Sequence, residues 1–282
     1  MAEERLTGRV AIVTGAGSRI GFGRSMTLAL VEAGARVAMV DVNEQALDQT
    51  AGEARDVGGP NCVVPVLADV SRPEDARRVV ERTVAELGGL HVLVNNAGTN
   101  ARNLGFTSSE DAPFWELPAE AWFRVAAINY IGPALMASAA VKHMLDQKWG
   151  RIIGVTTSLD TMYLKGNPSY GSSKAGHEAF MASIAQELEG SGVTVNVLVP
   201  GGPANTNLFP PDTPLDRKAL IQPAVMQAPM VWLASDDSNA FHNRRVIAYH
   251  WDETLPLEER LAKAAAPLAW QQLGRQAIRP AS

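Results

Sequence analysis

The chain has 282 residues, of which 46% are apolar and 20% charged, an ordinary balance for a soluble globular protein. Its 25 basic and 30 acidic side chains leave a formal charge of −5, too mild and of the wrong sign for a nucleic-acid or anionic-membrane surface. A single cysteine, Cys62, excludes an internal disulfide and fits a reducing, cytoplasmic setting. The N-terminus shows no apolar targeting stretch. The longest uncharged run, Val125 to Val141, is broken by Asn129, Gly132 and Pro133 and is short for a bilayer span.

From residue 9 onward, β-branched runs alternate with helical patterns. Strands are expected at Arg9–Thr14, Arg36–Asp41, Cys62–Leu67, His91–Asn95, Arg151–Thr157, Val193–Val199 and Arg244–Tyr249. Several are nearly continuous apolar runs, the pattern of strands covered on both faces. Repeated strand–helix–strand units imply a parallel sheet with helices on both sides. Ser71-x-x-Glu74 reads as a capping box, and Gly88 stands where a helix ends. Two connections, Thr99–Leu117 and the proline-rich Gly201–Pro223, are long enough to act as lids over a ligand crevice. Residues 1–250 are expected to form one domain. Residues 251–282 form an apolar-rich tail, including Leu268 and Leu273, that packs on the domain or on a neighbouring subunit.

The first strand runs directly into Gly15-Ala16-Gly17-Ser18-Arg19-Ile20-Gly21-Phe22-Gly23, and a helix follows. Glycines between a strand and a helix let backbone N–H groups approach a pyrophosphate at the helix N-terminus. Asp41 ends the second strand, where a carboxylate accepts hydrogen bonds from adenosine ribose hydroxyls and repels a 2′-phosphate. Asp41 reads equally as a cap for the helix that follows it. On these residues NAD is favoured over NADP, although Arg19 in the turn offers a cation to a phosphate. Farther along, Tyr170 and Lys174 are four residues apart and so share one helix face. A nearby ammonium is expected to pull the phenol's pKa down and make it a general acid and base. The fifth strand ends in Thr156-Thr157-Ser158, which places hydroxyls at the carboxyl end of the sheet.

Taken in order, these motifs resemble the short-chain dehydrogenase/reductase family over residues 5 to 250. The resemblance rests on the glycine turn, Asp69-Val70, Asn95-Asn96-Ala97-Gly98, Asn129, Ser158, Tyr170 with Lys174, and Asn196 with Pro200-Gly201. It implies a doubly wound Rossmann-type α/β fold with seven parallel strands in the order 3-2-1-4-5-6-7, and reversible hydride transfer between NAD(H) and a secondary alcohol or ketone. Tyr170 would be the acid/base, with Lys174 holding the nicotinamide ribose and lowering the phenol's pKa. Ser158 would orient the substrate oxygen, and Asn129 would anchor a water in the proton relay. Gly15, Gly21, Phe22, Gly23, Asp41, Asp69, Val70, Asn96, Ala97, Gly98, Pro200, Gly201 and Thr206 would meet the cofactor. A homodimer or homotetramer is also implied.

This chain departs from the family's pattern in three places. The glycine turn is two residues longer than usual, and Gly21-Phe22-Gly23 keeps the helix register best. Ser158 lies twelve residues before Tyr170, one fewer than the common spacing, which leaves Thr157 as an alternative hydroxyl. Tyr249-His250-Trp251-Asp252 replaces the usual Asp-Gly-Gly. No metal-ligand pattern involves the five histidines. An NADP-linked carbonyl reductase and a non-catalytic NAD(H)-binding module are the rival readings.

Overall fold

The computed structural model describes residues 5–106, 113–209 and 216–271. Residues 107–112 and 210–215 of the two long connections, and the tail from 272 on with Leu273, lie outside the described residues. Strands β1 (Val10–Thr14), β2 (Arg36–Asp41), β3 (Val63–Leu67), β4 (Val92–Asn95), β5 (Gly150–Val155), β6 (Val193–Val199) and β7 (Arg244–Ile247) pair in parallel, in the order β3-β2-β1-β4-β5-β6-β7. Both faces of the strands are buried. Ala11 and Val13 of β1 join one core, while Val10 and Ile12 join the other. Helices α1 (Phe22–Glu32), α2 (Glu44–Gly58) and a later helix at Gln227–Ala234 cover the first face; α3 (Pro73–Leu87), and the helices at Gly132–Asp146 and Pro168–Glu187, cover the second. The order reverses between β1 and β4, which opens a crevice beyond their carboxyl ends.

The remaining elements follow in chain order. Helix α4 (Ala119–Ala126) continues through a π turn at Ala127–Ile131 into α5 (Gly132–Asp146). In length and composition this run, Ala119–Asp146, would suit a membrane span, but here Met136, Ala140 and Met144 are buried in the second core. A short helix α6 (Leu159–Met162) follows β5, then α7 (Pro168–Glu187) carries Tyr170 and Lys174, and α8 (Gln227–Ala234) leads toward β7.

Two expectations are corrected. Among the described residues the sheet has eight strands, because after α9 (Leu257–Ala264) the chain adds β8 (Ala265–Pro267), antiparallel to β7. Without β8, β7 would leave a row of unpaired backbone groups at the sheet edge. A three-residue Ala-Ala-Pro strand has no alternation to reveal it beforehand. The capping box at Ser71 does not form either. Arg72 precedes a helix that starts at Pro73, which has no N–H to satisfy and a φ suited to the first turn. Ser71 instead donates its hydroxyl to Asp69 Oδ1 at 2.7 Å. Gly88 does end α3 in the left-handed region, at φ 76°.

Beyond β8, Leu268 is fully buried in the core that holds Met181 and Val195. Replacing Leu268 with Ala should cost about 2–5 kcal/mol, through lost transfer energy and a residual cavity. A urea-denaturation midpoint lowered at unchanged slope is the expected result.

Candidate active site

The first wall of the crevice is the glycine turn. Thr14 ends β1, and its hydroxyl accepts the N–H groups of Asn96 and Ala97, both at 3.0 Å, while donating to Val94 O. The Asn96 amide in turn donates to the carbonyls of Thr14 and Gly15. The turn and the β4 end are thereby stitched into one unit. The packing is tight enough to require glycine. A Cβ on Gly15, which has φ +68°, would lie 2.9 Å from Ala97 Cα, and one on Gly23 would lie 2.1 Å from Gly15 O. Gly21 precedes the first turn of α1, so Gly21-Phe22-Gly23 keeps the helix register. The two additional residues are taken up by a turn in which Gly21 N–H donates to Ser18 O.

Asp41, at the end of β2, lies beneath this turn. Its Oδ2 accepts from Gly17 N–H at 2.8 Å, and its Oδ1 from Asn43 N–H at 3.0 Å. Asn43, rather than Asp41, caps α2, accepting from Ala46 N–H. Asp41 borders an open cleft of about 690 Å³, which Ser18, Arg19, Arg24, Glu53 and Asn207 also line. Arg24 is paired with Glu53, and Arg19 is exposed at the rim. Farther along the sheet edge, Asp69 is engaged by Ser71, and Val70 packs where a Cβ on Gly132 would come within 2.9 Å.

The second wall is built on β5, α7 and the π turn. Tyr170 is buried, and burial pushes its phenol up to about 12, against a hydrogen bond from the Thr157 hydroxyl. The phenol was expected to be pulled down; the desolvation of a buried phenolate dominates instead. Lys174, 3% exposed, donates from Nζ to Val155 O at 2.8 Å, and burial brings its pKa down to about 8. A Cβ on Gly98 would lie 3.1 Å from that Nζ and 3.5 Å from Asn129 Oδ1, so the three residues converge. The π turn directs Asn129 fully inward. Its amide donates to Thr99 O and Ser173 Oγ, and its carbonyl accepts from Thr99 N–H. His177 lies next to them, buried without a hydrogen-bond partner among the described residues. Burial, reinforced by the Lys174 charge, keeps it neutral.

The hydroxyl against Tyr170 belongs to Thr157, whereas the Ser158 side chain caps α6, bonded to the Thr161 hydroxyl at 2.7 Å and accepting from Thr161 N–H. Serine is a strong N-cap, and the strand closes at Val155, so the backbone turns before Ser158 can face the phenol. The third wall follows β6. Gly201 takes φ +104°, where a Cβ would meet Tyr249, and Pro200 O accepts from Tyr249 N–H. Thr206 is buried in the loop, with its hydroxyl accepting from Leu208 N–H.

A sequence profile described as short chain dehydrogenase matches residues 9–214. The chain belongs to the short-chain dehydrogenase family, a family of oxidoreductases. It is 32% identical over 197 residues to a 3-oxoacyl-[acyl-carrier-protein] reductase of Thermotoga maritima, the match covering 70% of this chain and 75% of that one. It is 36% identical over 198 residues to cis-4-hydroxycyclohexanecarboxylate dehydrogenase of Sinomonas cyclohexanicum, covering 70% and 74%. Against a short chain dehydrogenase of Pseudocercospora fijiensis it is 34% identical, and the match spans 74% of this chain but 63% of that protein. Among solved structures, a short-chain type dehydrogenase/reductase from Mycobacterium marinum superposes with a TM-score of 0.73 at 29% identity, covering 85% and 93%.

Several site features of this short-chain dehydrogenase carry no sequence signal. Asn100 and Asn103 donate to the carbonyls of Leu208 and Asn207, which knits the two long connections together. Asn207 also donates to Ser18 Oγ, tying the second connection to the glycine turn. Isolated asparagines in loops read only as turn formers.

The burial of Lys174 has a measurable consequence. Its folded-state pKa lies below the ordinary 10.5, so its contribution to stability is complete above that value and lost as pH falls through about 8. At pH 7 the chain therefore holds a buried ammonium at a cost. Lys174→Met should raise the unfolding free energy at pH 7 by roughly 1–3 kcal/mol, and the gain should shrink on titration toward pH 10.

Proposed function

We propose that this chain interconverts a secondary alcohol and a ketone with NAD as cofactor, and that Tyr170 gives and takes the proton. The observation that carries the reading is a buried phenol beside the Thr157 hydroxyl, one helical turn from a buried ammonium that donates to Val155 O at 2.8 Å. The cofactor fits the residues present. The turn at Gly15 and Gly23 admits only glycine, and Lys174 has one hydrogen-bond partner among the described residues for its three donors. When bound, a nicotinamide dinucleotide supplies the hydride donor or acceptor. Gly15, Gly21, Phe22 and Gly23 would hold its pyrophosphate, Asp41 the adenosine ribose, and Asp69 with Val70 the adenine. Asn96, Ala97, Gly98, Pro200, Gly201 and Thr206 would line its remaining length, and Lys174 would take the nicotinamide ribose.

At neutral pH the Tyr170 phenol is protonated, the form that donates to a ketone oxygen. Thr157 fixes the phenol's direction and shares the substrate oxygen. In the oxidative direction Tyr170 must first lose its proton. Alcohol oxidation should therefore climb through the alkaline range while ketone reduction does not. Both polar atoms of the Asn129 side chain are taken by Thr99 and Ser173, so its proposed part is to hold Ser173 and the Lys174 turn in place rather than to present an amide to water. A cytoplasmic dimer or tetramer accompanies this reading. Phe123, Tyr130 and Ile131 lie exposed on the Ala119–Asp146 run, and Cys62 is unpaired.

The test is a panel of secondary alcohols and ketones, including alicyclic hydroxy acids and 3-oxoacyl thioesters, followed by nicotinamide absorbance. Tyr170→Phe should slow turnover by ~10²–10⁴-fold. Thr157→Val should be similarly impaired. Ser158→Ala should retain turnover and lose about 1 kcal/mol of stability as a missing helix cap. Unchanged turnover in Tyr170→Phe overturns the mechanism, and the opposite ranking of the two hydroxyl variants returns the role to Ser158.

Cofactor choice is tested separately. Asp41 stands on two backbone N–H groups at the cleft floor and would meet a 2′-phosphate with like charge; Arg19 at the rim favours the alternative, NADP. NADH should bind more tightly than NADPH, and Asp41→Ala should narrow the gap by weakening NADH and relieving NADPH. A wild-type preference for NADPH that Arg19→Ala abolishes would reverse the assignment.

A further inference from the structure

A buried ion pair stands behind the proposed catalytic hydroxyl. Arg245 on β7 donates from Nη1 to Glu178 Oε1 on α7 at 2.8 Å, with the two side chains 4% and 0% exposed. The rest of their bonding is directed. Arg245 Nη2 donates to Thr157 O at 2.9 Å, and the Thr156 hydroxyl donates to Glu178 Oε2 at 2.8 Å. Ala269 N–H, held in place by a φ of 54° that is uncommon outside glycine, donates to Glu178 Oε1 at 3.2 Å. The pair thus grips two consecutive residues just where the chain leaves β5, and the second is the one whose hydroxyl meets Tyr170.

We infer that Arg245 and Glu178 are positioning residues for the proposed reaction, clamping Thr156 and Thr157 so that the Thr157 hydroxyl is held against the Tyr170 phenol. This rests on the function proposed above. Thr156 and Thr157 lie just beyond the end of β5, so a clamp on the Thr156 hydroxyl and the Thr157 carbonyl restricts the direction in which the Thr157 side chain can face. A buried ion pair is seldom more stabilising than apolar side chains of the same size. What the charges add here is directed hydrogen bonding: the guanidinium has donors for both the carboxylate and the Thr157 carbonyl, and Glu178 receives bonds on both oxygens. Displacing a reacting group by about 1 Å can slow an enzyme on the order of 10²-fold.

The experiment is a double-mutant cycle in the full chain. Arg245→Met should lower kcat by ~10²-fold while leaving the Kd for NADH near wild type, and Arg245→Lys should recover part of the loss. Combined with Thr157→Val, Arg245→Met should add almost nothing, because the hydroxyl through which it acts is gone. Losses that multiply, or wild-type kcat in a folded Arg245→Met protein, overturn the inference. If Arg245→Met does not fold, Thr156→Val removes the opposite arm of the clamp and should show the same dependence on Thr157; independence overturns the inference. Crystal structures of the variant that folds give an answer that needs no turnover: a Thr157 hydroxyl turned away from the Tyr170 phenol supports the clamp, and one still beside it refutes it. A wild-type protein that moves no hydride to or from any panel member defeats the functional reading alone, and the crystallographic result still judges the clamp.

Discussion

An ammonium held out of water organises the second wall of the crevice. Lys174 gives up bulk hydration for the Val155 carbonyl at the end of β5, its one hydrogen-bond partner among the described residues. Its neighbours answer to that charge. Gly98 has no side chain to obstruct it, and His177, against the same helix turn, stays neutral. Asn129 binds Ser173 on the residue before it. The site is therefore costly for the fold in isolation, as a preformed place for a polar ligand is expected to be.

The cost is met by the sheet. Seven parallel strands, buried on both faces, fix the carboxyl ends of β1, β2, β4, β5 and β6 beside one another. Each wall of the crevice then needs only short-range geometry: Thr14 and Asn96 lock the glycine turn to β4, backbone N–H groups hold Asp41, and the π turn aims Asn129. Helix α7 has almost no apolar stripe of its own, because it is packed on several sides. Ser173, Lys174, His177 and Glu178 are all buried along it. Glu178 and Arg245, both buried, compensate one another with direct bonds and reach the β5 end through the Thr156 hydroxyl and the Thr157 carbonyl.

Legibility in the sequence followed the range of the interactions. Gly21-Phe22-Gly23 was readable as the register of α1 because a strand, a turn and a helix follow one another along the chain. The same holds for Tyr170 and Lys174, whose shared face is a property of one helix. The choice between Thr157 and Ser158 was not readable. It depends on where β5 lets go of its neighbours and on Thr161 taking up the serine as a cap, and neither is encoded in the spacing to Tyr170. The direction of the Tyr170 shift was missed for a related reason: the approach of an ammonium can be read from four-residue spacing, but the loss of water around a phenol cannot.

The chain by itself determined its alternation of apolar strands and helices, its glycine turn with Asp41, and its tyrosine–lysine pair, because each is written in periodicity or in neighbours a few residues apart. Only the tertiary structure decided that Ala265–Pro267 would add an eighth strand, that Thr157 would face the phenol, and that Arg245 would cross from β7 to grip Glu178 and the β5 end. Those outcomes join residues tens of positions apart. They depend on which polar groups the fold strips of water and must then pair, a condition that exists only once the layers have closed.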